Sequence, residues 1–207
     1  MLKRVFDIVA SSLALFYLAP VFLIISVLIK LDSRGPVFYK QVRVGQDKIP
    51  FNMYKFRKFC HNPGKKGPAF SLSNDKRLTG IGKFLEEYKL NELPQFLNVL
   101  KGDMSIVGPR PDTPDFVRKY GNGYSQVLKV KQGIFGVNQW LFINEAMLLT
   151  EDNDVESYYL KEILPVKIKN DIKYIKNASL FYDIAILGRC IVSVLLKPLR
   201  KRLAKTG

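Results

Sequence analysis

Histidine and cysteine are nearly missing from this chain. Among 207 residues there is one histidine, His61, and two cysteines, Cys60 and Cys190. Their spacing gives neither a metal-ligand pattern nor a disulfide framework. That supply argues against a Ser-His-Asp triad and against a histidine-based metal site, and His61 beside Cys60 reads as incidental. Internal repeats and low-complexity linkers are also absent. From Ile8 to Ile29 there is no charged residue, and the last twenty residues hold no acid.

What is present is positive charge and apolar length. The formal charge of +15 and pI near 9.8 call for an anionic partner or surface. Nucleic acid, an anionic leaflet and a phosphorylated substrate all qualify, but no recognised nucleic-acid motif appears. The apolar run favours the membrane, and so do Arg189, Lys197, Arg200, Lys201, Arg202 and Lys205 near the end. Such cations gain about 1 kcal/mol each beside an anionic leaflet. A solvated, frayed tail is the plainer reading of the same residues.

Ile8–Ile29 is long enough, as a straight helix, to cross a hydrocarbon core of about 30 Å. It exceeds the usual apolar core of a signal peptide, and Lys30-Leu31-Asp32-Ser33-Arg34 after it is no cleavage site. A kinked spanning anchor and a buried core helix are the ordinary alternatives. Pro20 sits near its centre, where it removes a donor and crowds the preceding turn. Lys3 and Arg4 precede the run, and Lys30, Arg34, Lys40 and Arg43 follow it, so both flanks suit the cytoplasm. A helix broken at Pro20 and returning to its own face satisfies both.

Beyond the turn at Ser33–Pro36, Val37–Val42 and Phe51–Phe56 alternate as a β-hairpin around Gly45–Lys48. Residues 61–74, with two glycines and two prolines, read as a loop. A helix is expected from Gly80 through Tyr88, with another turn or two at Gln95–Leu100. Residues 145–176 have helical spacing, and Leu180–Leu196 reads as an apolar helix ended by Pro198. The chain length allows one domain of ordinary size besides the membrane segment.

The densest polar segment is Leu90-Asn91-Glu92-Leu93-Pro94-Gln95, then Asn98–Ser105, then Val107-Gly108-Pro109-Arg110-Pro111. It supplies a carboxylate at a helix end and an arginine mounted between prolines, which suits bidentate phosphate binding. A capped helix followed by a turn is the plainer reading. This segment resembles the bacterial sugar transferase family, the monotopic phosphoglycosyl transferases. Lys3–Asp7, Gly35–Gln41 with Arg43–Gly45, Tyr54–Arg57, Asp75–Thr79, Gln132–Gly136 and Leu180–Asp183 continue the likeness in order over nearly the whole chain.

The resemblance implies transfer of a sugar-1-phosphate from a nucleoside diphosphate sugar to a membrane polyprenol phosphate, initiating glycan assembly. It implies the cytoplasmic face of the bacterial inner membrane and magnesium as cofactor; the basic charge adds anionic lipids as partners, and a second copy of the chain is a further candidate. The catalytic positions are Asn91, where the family has its nucleophilic Asp, and Glu92. Both are candidate magnesium ligands. Arg110, Lys55, Arg57 and Arg77 are candidate phosphate or substrate contacts, and Asp183 reads as structural. The chain departs from the pattern at Asn91, at Glu86 where many members have Arg, and at Gln132 and Phe135. Asn91 fits an inactivating substitution, a natural variant in which Glu92 does more, or a chain that binds without turnover. The expected architecture is α+β and mostly helical. Residues 1–32 form a re-entrant helix broken at Pro20. Residues 33–207 form a domain with a hairpin, amphipathic interfacial helices and a basic tail.

Overall fold

A single helix, α1 (Leu2–Asp32), runs the length of the N-terminal segment and takes in Pro20 without interruption. The computed structural model describes residues 1–60, 75–142 and 155–203. The expected break at Pro20 is therefore corrected to a continuous helix. The physical reason lies on either side of it. Leu15 and Leu18 pack into one core cluster, and Val21 and Phe22 into another, while Pro20 itself faces outward. Packing on both sides of one missing hydrogen bond offsets the cost of the proline.

Both ends of α1 are fastened to the same domain by polar contacts. At the start, Arg4 donates to the carbonyls of Val99 (2.6 Å) and Leu100 (3.0 Å), capping another helix end. Lys3 pairs with buried Asp183, which also accepts from Tyr174, so Asp183 is structural. Buried Asp7 accepts from Ile106 N (3.0 Å) and Ser105 Oγ (3.1 Å). At the far end, Asp32 accepts from Ile81 N (3.1 Å) and Arg57 reaches the carbonyls of Ile29 and Ser33. Between these latches, Phe6, Ala10, Ala14, Leu18, Phe22, Ile25 and Ile29 form the docked stripe at three- and four-residue spacing. The opposite face leaves Val5, Val9, Phe16, Leu23, Ile24 and Leu31 exposed. Among the described residues, α1 alone is long and apolar enough to cross a membrane.

The hairpin pairs β1 (Phe38–Val44) with β2 (Pro50–Phe56), antiparallel, with Phe38 opposite Phe56 and Val44 opposite Pro50. Asp47 and Lys48 take positive φ at its turn. Then follow α2 (Gly80–Glu87), capped by Thr79 Oγ1 on Gly82 N, and α3 (Gln95–Lys101). The short strand β3 (Ser105–Val107) leads to α4 (Pro114–Tyr120), β4 (Gly133–Phe135) and α5 (Val137–Leu141). After α6 (Val155–Tyr158), one π-helical turn leads into α7 (Leu164–Lys176) and then α8 (Leu180–Leu203). Helix α8 continues past Pro198, so its expected end there is corrected. The expected loop over 61–74 and the start of the 145–176 helix lie outside the described residues.

Strands β3 and β4 pair in parallel, a contact that no local pattern announced. Met53 of β2 and Phe96 and Val99 of α3 meet Ile106, Ile134, Tyr174 of α7, and Ile186 and Cys190 of α8 in one cluster. Cys190 is thus a core residue, while Cys60 is exposed. A second cluster joins Val44 and Phe116 to Tyr159, Leu164 and Ile168, and a third joins Ile25 and Ile29 of α1 to Phe56 and Leu85. Each such fully buried apolar side chain contributes about 1.5–3 kcal/mol. The architecture is α+β and mostly helical, as expected.

Candidate functional site

The site is built where β2, the segment after α2, and the chain after β3 converge. Lys89 leaves α2 in the left-handed conformation (φ 58°, ψ 17°) and opens a 3₁₀ turn, Leu90–Glu92. That turn points Asn91 inward. Asn91 is 2% exposed, and its Oδ1 has no hydrogen-bond partner among the described residues. Gln95, four residues on at the start of α3, is fully buried, and both its side-chain polar atoms lack a partner among the described residues. Unpaired buried amides of this kind are costly and uncommon in native proteins.

Glu92 turns about 120° from Asn91 on a 3₁₀ turn and meets Arg110. Arg110 donates from Nη1 to Oε2 (2.8 Å) and from Nη2 to Oε1 (2.5 Å), a bidentate pair. Burial alone would raise the Glu92 carboxyl, but Arg110, Lys55 and Lys89 hold it well below the usual carboxylate range. Arg110 is fixed from behind. Gly108 N donates to Phe135 O (2.9 Å) and Gly133 N to Pro109 O (2.7 Å). A Cβ on Gly133 would lie 2.1 Å from Gly108 N, so only glycine allows the two strands to meet there. Arg43, on β1, donates to Pro111 O (3.1 Å) and pairs with Asp112 at 3.8 Å. Asp112 also accepts from Tyr124 Oη at 2.5 Å.

Lys55 projects from β2 into the same field. Burial drives its ammonium well below the ordinary lysine range, and Arg110 and Arg43 add to that against the pull of Glu92. No hydrogen bond or ion pair engages its Nζ among the described residues. Lys58 donates to Glu86 Oε2 at 2.5 Å, and Lys89 approaches Glu86 Oε1 at 3.5 Å. The site therefore gathers Arg43, Lys55, Lys58, Lys89 and Arg110 around Glu86, Glu92 and Asp112, with two positive charges in excess.

Of the residues singled out in the sequence, Asn91, Glu92, Arg110 and Lys55 share this region. Arg57 does not bind outward. Its guanidinium donates to Pro36 O (2.6 Å), Ser33 Oγ (2.6 Å), Ser33 O (2.9 Å), Phe59 O (3.3 Å) and Ile29 O (3.4 Å), tying the hairpin to the end of α1. It follows the last residue of β2, so the alternation that aims Lys55 no longer governs it. Arg77 pairs with Asp75 (2.5 Å) and stacks on Phe59 at 4.5 Å. The departure at Gln132 is absorbed structurally, since its Nε2 donates to Val127 O and Val130 O. Lys58, Lys89 and Asp112 carried no site role in the sequence reading, and Arg43 entered it as a flanking cation and as part of a matched motif. For the first three the only signal was adjacency to matched motifs.

The donor set does not fit a resident magnesium ion. Magnesium is usually held by one or two free carboxylates besides water and substrate phosphates. Here each oxygen of Glu92 accepts from Arg110, whose positive charge opposes a cation at that carboxylate, and Asn91 offers one neutral oxygen. Among the described residues, no three His, Cys, Asp or Glu side chains are grouped for a metal.

A family model described as "Bacterial sugar transferase" matches residues 1–197. The chain belongs to this family. It is 38% identical over 197 residues to the UDP-N-acetylgalactosamine-undecaprenyl-phosphate N-acetylgalactosaminephosphotransferase of Aeromonas hydrophila, covering 94% of this chain and 44% of that protein. It is 36% identical to the UDP-glucose:undecaprenyl-phosphate glucose-1-phosphate transferase of Klebsiella pneumoniae, over 89% of this chain and 38% of the relative. The chain thus spans less than half the length of these curated relatives. Against the uncharacterized sugar transferase EpsL of Bacillus subtilis it is 35% identical, covering 94% of this chain and 87% of that one.

Proposed function

We propose that this member of the bacterial sugar transferase family binds a nucleoside diphosphate sugar and a polyprenol phosphate and passes a sugar-1-phosphate from the first to the second, initiating glycan assembly. The observation that carries this reading is the Glu92–Arg110 pair, set beside unpartnered Lys55 and the orphaned amide of Asn91. Excess positive charge in a partly buried site favours phosphate oxygens. The names of the similar proteins, which transfer sugar phosphates to undecaprenyl phosphate, agree with it.

In this reading an oxygen of the polyprenol phosphate bonds to the sugar-bearing phosphorus as the bond to the nucleoside monophosphate breaks, and Arg110 and Lys55 hold phosphoryl oxygens and stabilise the charge there. Glu92 keeps the guanidinium oriented and remains ionised. Asn91 supports orientation through its amide but has no charged oxygen to attack with. A second reading follows from that residue: the chain binds both substrates and turns over slowly or not at all.

The membrane placement is part of the proposal. Helix α1 has 31 residues and would measure about 46 Å if straight, yet its two ends hold the same domain. We infer that α1 lies in one leaflet at the cytoplasmic face, its apolar outer side toward lipid, without crossing. The experiment for the reaction is nucleoside monophosphate release from a panel of nucleoside diphosphate sugars with polyprenol phosphate. Arg110→Ala should abolish what activity there is. Release unaffected by that change would remove the site from the reaction.

A further inference from the structure

We propose that Glu86 is a built-in counter-ion that competes with a phosphoryl group for Lys58 and Lys89, so that these two lysines form a phosphate-binding subsite held partly closed. The inference rests on the proposed reading of the site and deepens it. Three observations carry it. Glu86 bridges both lysines, at 2.5 Å to Lys58 and 3.5 Å to Lys89, with one oxygen for each. The trio is continuous with the Glu92–Arg110 pair: Lys89 acts on Glu92, Lys58 acts on Lys55, and Glu86 acts on Arg110. Lys89 is held in the left-handed conformation (φ 58°), which is unfavourable for a residue with a side chain and fixes where its stem leaves the chain.

The geometry resembles ligand mimicry. Two carboxylate oxygens spread over two ammonium groups is the arrangement that two phosphate oxygens would take. Glu86 is about one-quarter exposed, so an incoming anion can reach the pair from solvent. Removing its charge raises the excess at the site by one and takes the competing carboxylate from Lys58 and Lys89 while Arg110, Lys55 and Glu92 stay unaltered.

The test uses the full chain in detergent and two probes. Inorganic pyrophosphate represents the soluble diphosphate, and polyprenol phosphate in neutral-lipid vesicles represents the lipid. Glu86→Gln should tighten at least one of them by about five- to tenfold at low salt, with a steeper loss of affinity as salt rises. A gain with pyrophosphate assigns the subsite to the soluble donor, and a gain confined to vesicles assigns it to the lipid. Adding Lys89→Gln should return the affinity to within about twofold of the unaltered chain, since one of the two lysines that Glu86 bridges is lost. Should Glu86→Gln fail to fold, Glu86→Asp is used. Its shorter arm cannot bridge both lysines, and it should give a smaller gain of the same sign. Equal or weaker binding of both probes by a folded Glu86 variant overturns the inference, as does a gain that Lys89→Gln leaves intact. Arg110→Ala separates the two claims. If it weakens both probes while Glu86→Gln changes neither, the counter-ion falls and the site stands. If Arg110→Ala changes nothing, the reading of the site falls first.

Discussion

Arg110 spans Glu92 with two hydrogen bonds, 2.8 and 2.5 Å long, and the backbone that carries each residue is set by the fold. Arg110 hangs from the contact between β3 and β4, and Glu92 from the turn opened by Lys89. The pair is therefore oriented before any substrate arrives, which lowers the entropic cost of binding. Arg110→Ala should weaken nucleoside diphosphate sugar binding by about 1.5–3 kcal/mol, the size of a charge-assisted hydrogen bond. Titration calorimetry on the full chain reads this directly. Arg110→Lys should recover only part of the loss, because an ammonium cannot reproduce the planar fork.

Arg57 should behave in the opposite way. Its donors are spent on carbonyls and on Ser33, so Arg57→Met leaves the end of α1 without its cap. The expected loss is about 2–4 kcal/mol of stability, from the buried carbonyl of Ile29 and the partly buried carbonyls beside it left unpaired. Chemical denaturation should register that loss, and donor affinity of the remaining folded protein should stay unchanged.

The placement of α1 gives a topological outcome. In a background lacking Cys60 and Cys190, Leu2→Cys and Arg34→Cys should both resist membrane-impermeant thiol reagents applied to intact cells. Both should react once the membrane is opened. Periplasmic labelling of position 2 alone would make α1 a spanning anchor.

Asp171 supplies a pH signature remote from the chemistry. It is buried, and burial with the charge of Asp112 raises its carboxyl to about 8, against a hydrogen bond from Asn138 and the charge of Lys167. The folded chain therefore holds a proton here that the unfolded chain releases near the ordinary Asp value. Stability attributable to Asp171 should fall as pH rises from about 4 toward 8. Asp171→Asn should be more stabilising at pH 8.5 than at pH 5, by about 2–4 kcal/mol between them. Thermal midpoints at the two pH values measure it.

The elements with a local signal were legible in the sequence. Alternation placed the hairpin, and the run from Gly80 through Tyr88 placed α2. The proline-mounted Arg110 and the Asn91-Glu92 step were legible for a similar reason, since motif and chemistry coincide there. Two prolines misled. Pro20 and Pro198 each remove one helical hydrogen bond, and α1 and α8 continue through them. Arg57 was misjudged because charge type says nothing of direction, and its direction changes where β2 ends. The partners of Glu86 and Arg43 and the parallel contact of β3 with β4 depend on residues distant in sequence. No window along the chain contains them.

The central claim is that this is a phosphoryl-transfer site with an amide where a carboxylate would act. The most direct measurement compares nucleoside monophosphate release by the unaltered chain and by Asn91→Asp at saturating donor and polyprenol phosphate. Asn91 is buried and its Oδ1 has no partner among the described residues, so the nearly isosteric carboxylate should enter the same place. The account predicts that Asn91→Asp is faster by on the order of tenfold or more, with donor affinity changed far less than turnover. Rapid turnover by the unaltered chain, with a phosphosugar adduct on Glu92 detected by mass spectrometry, would contradict it.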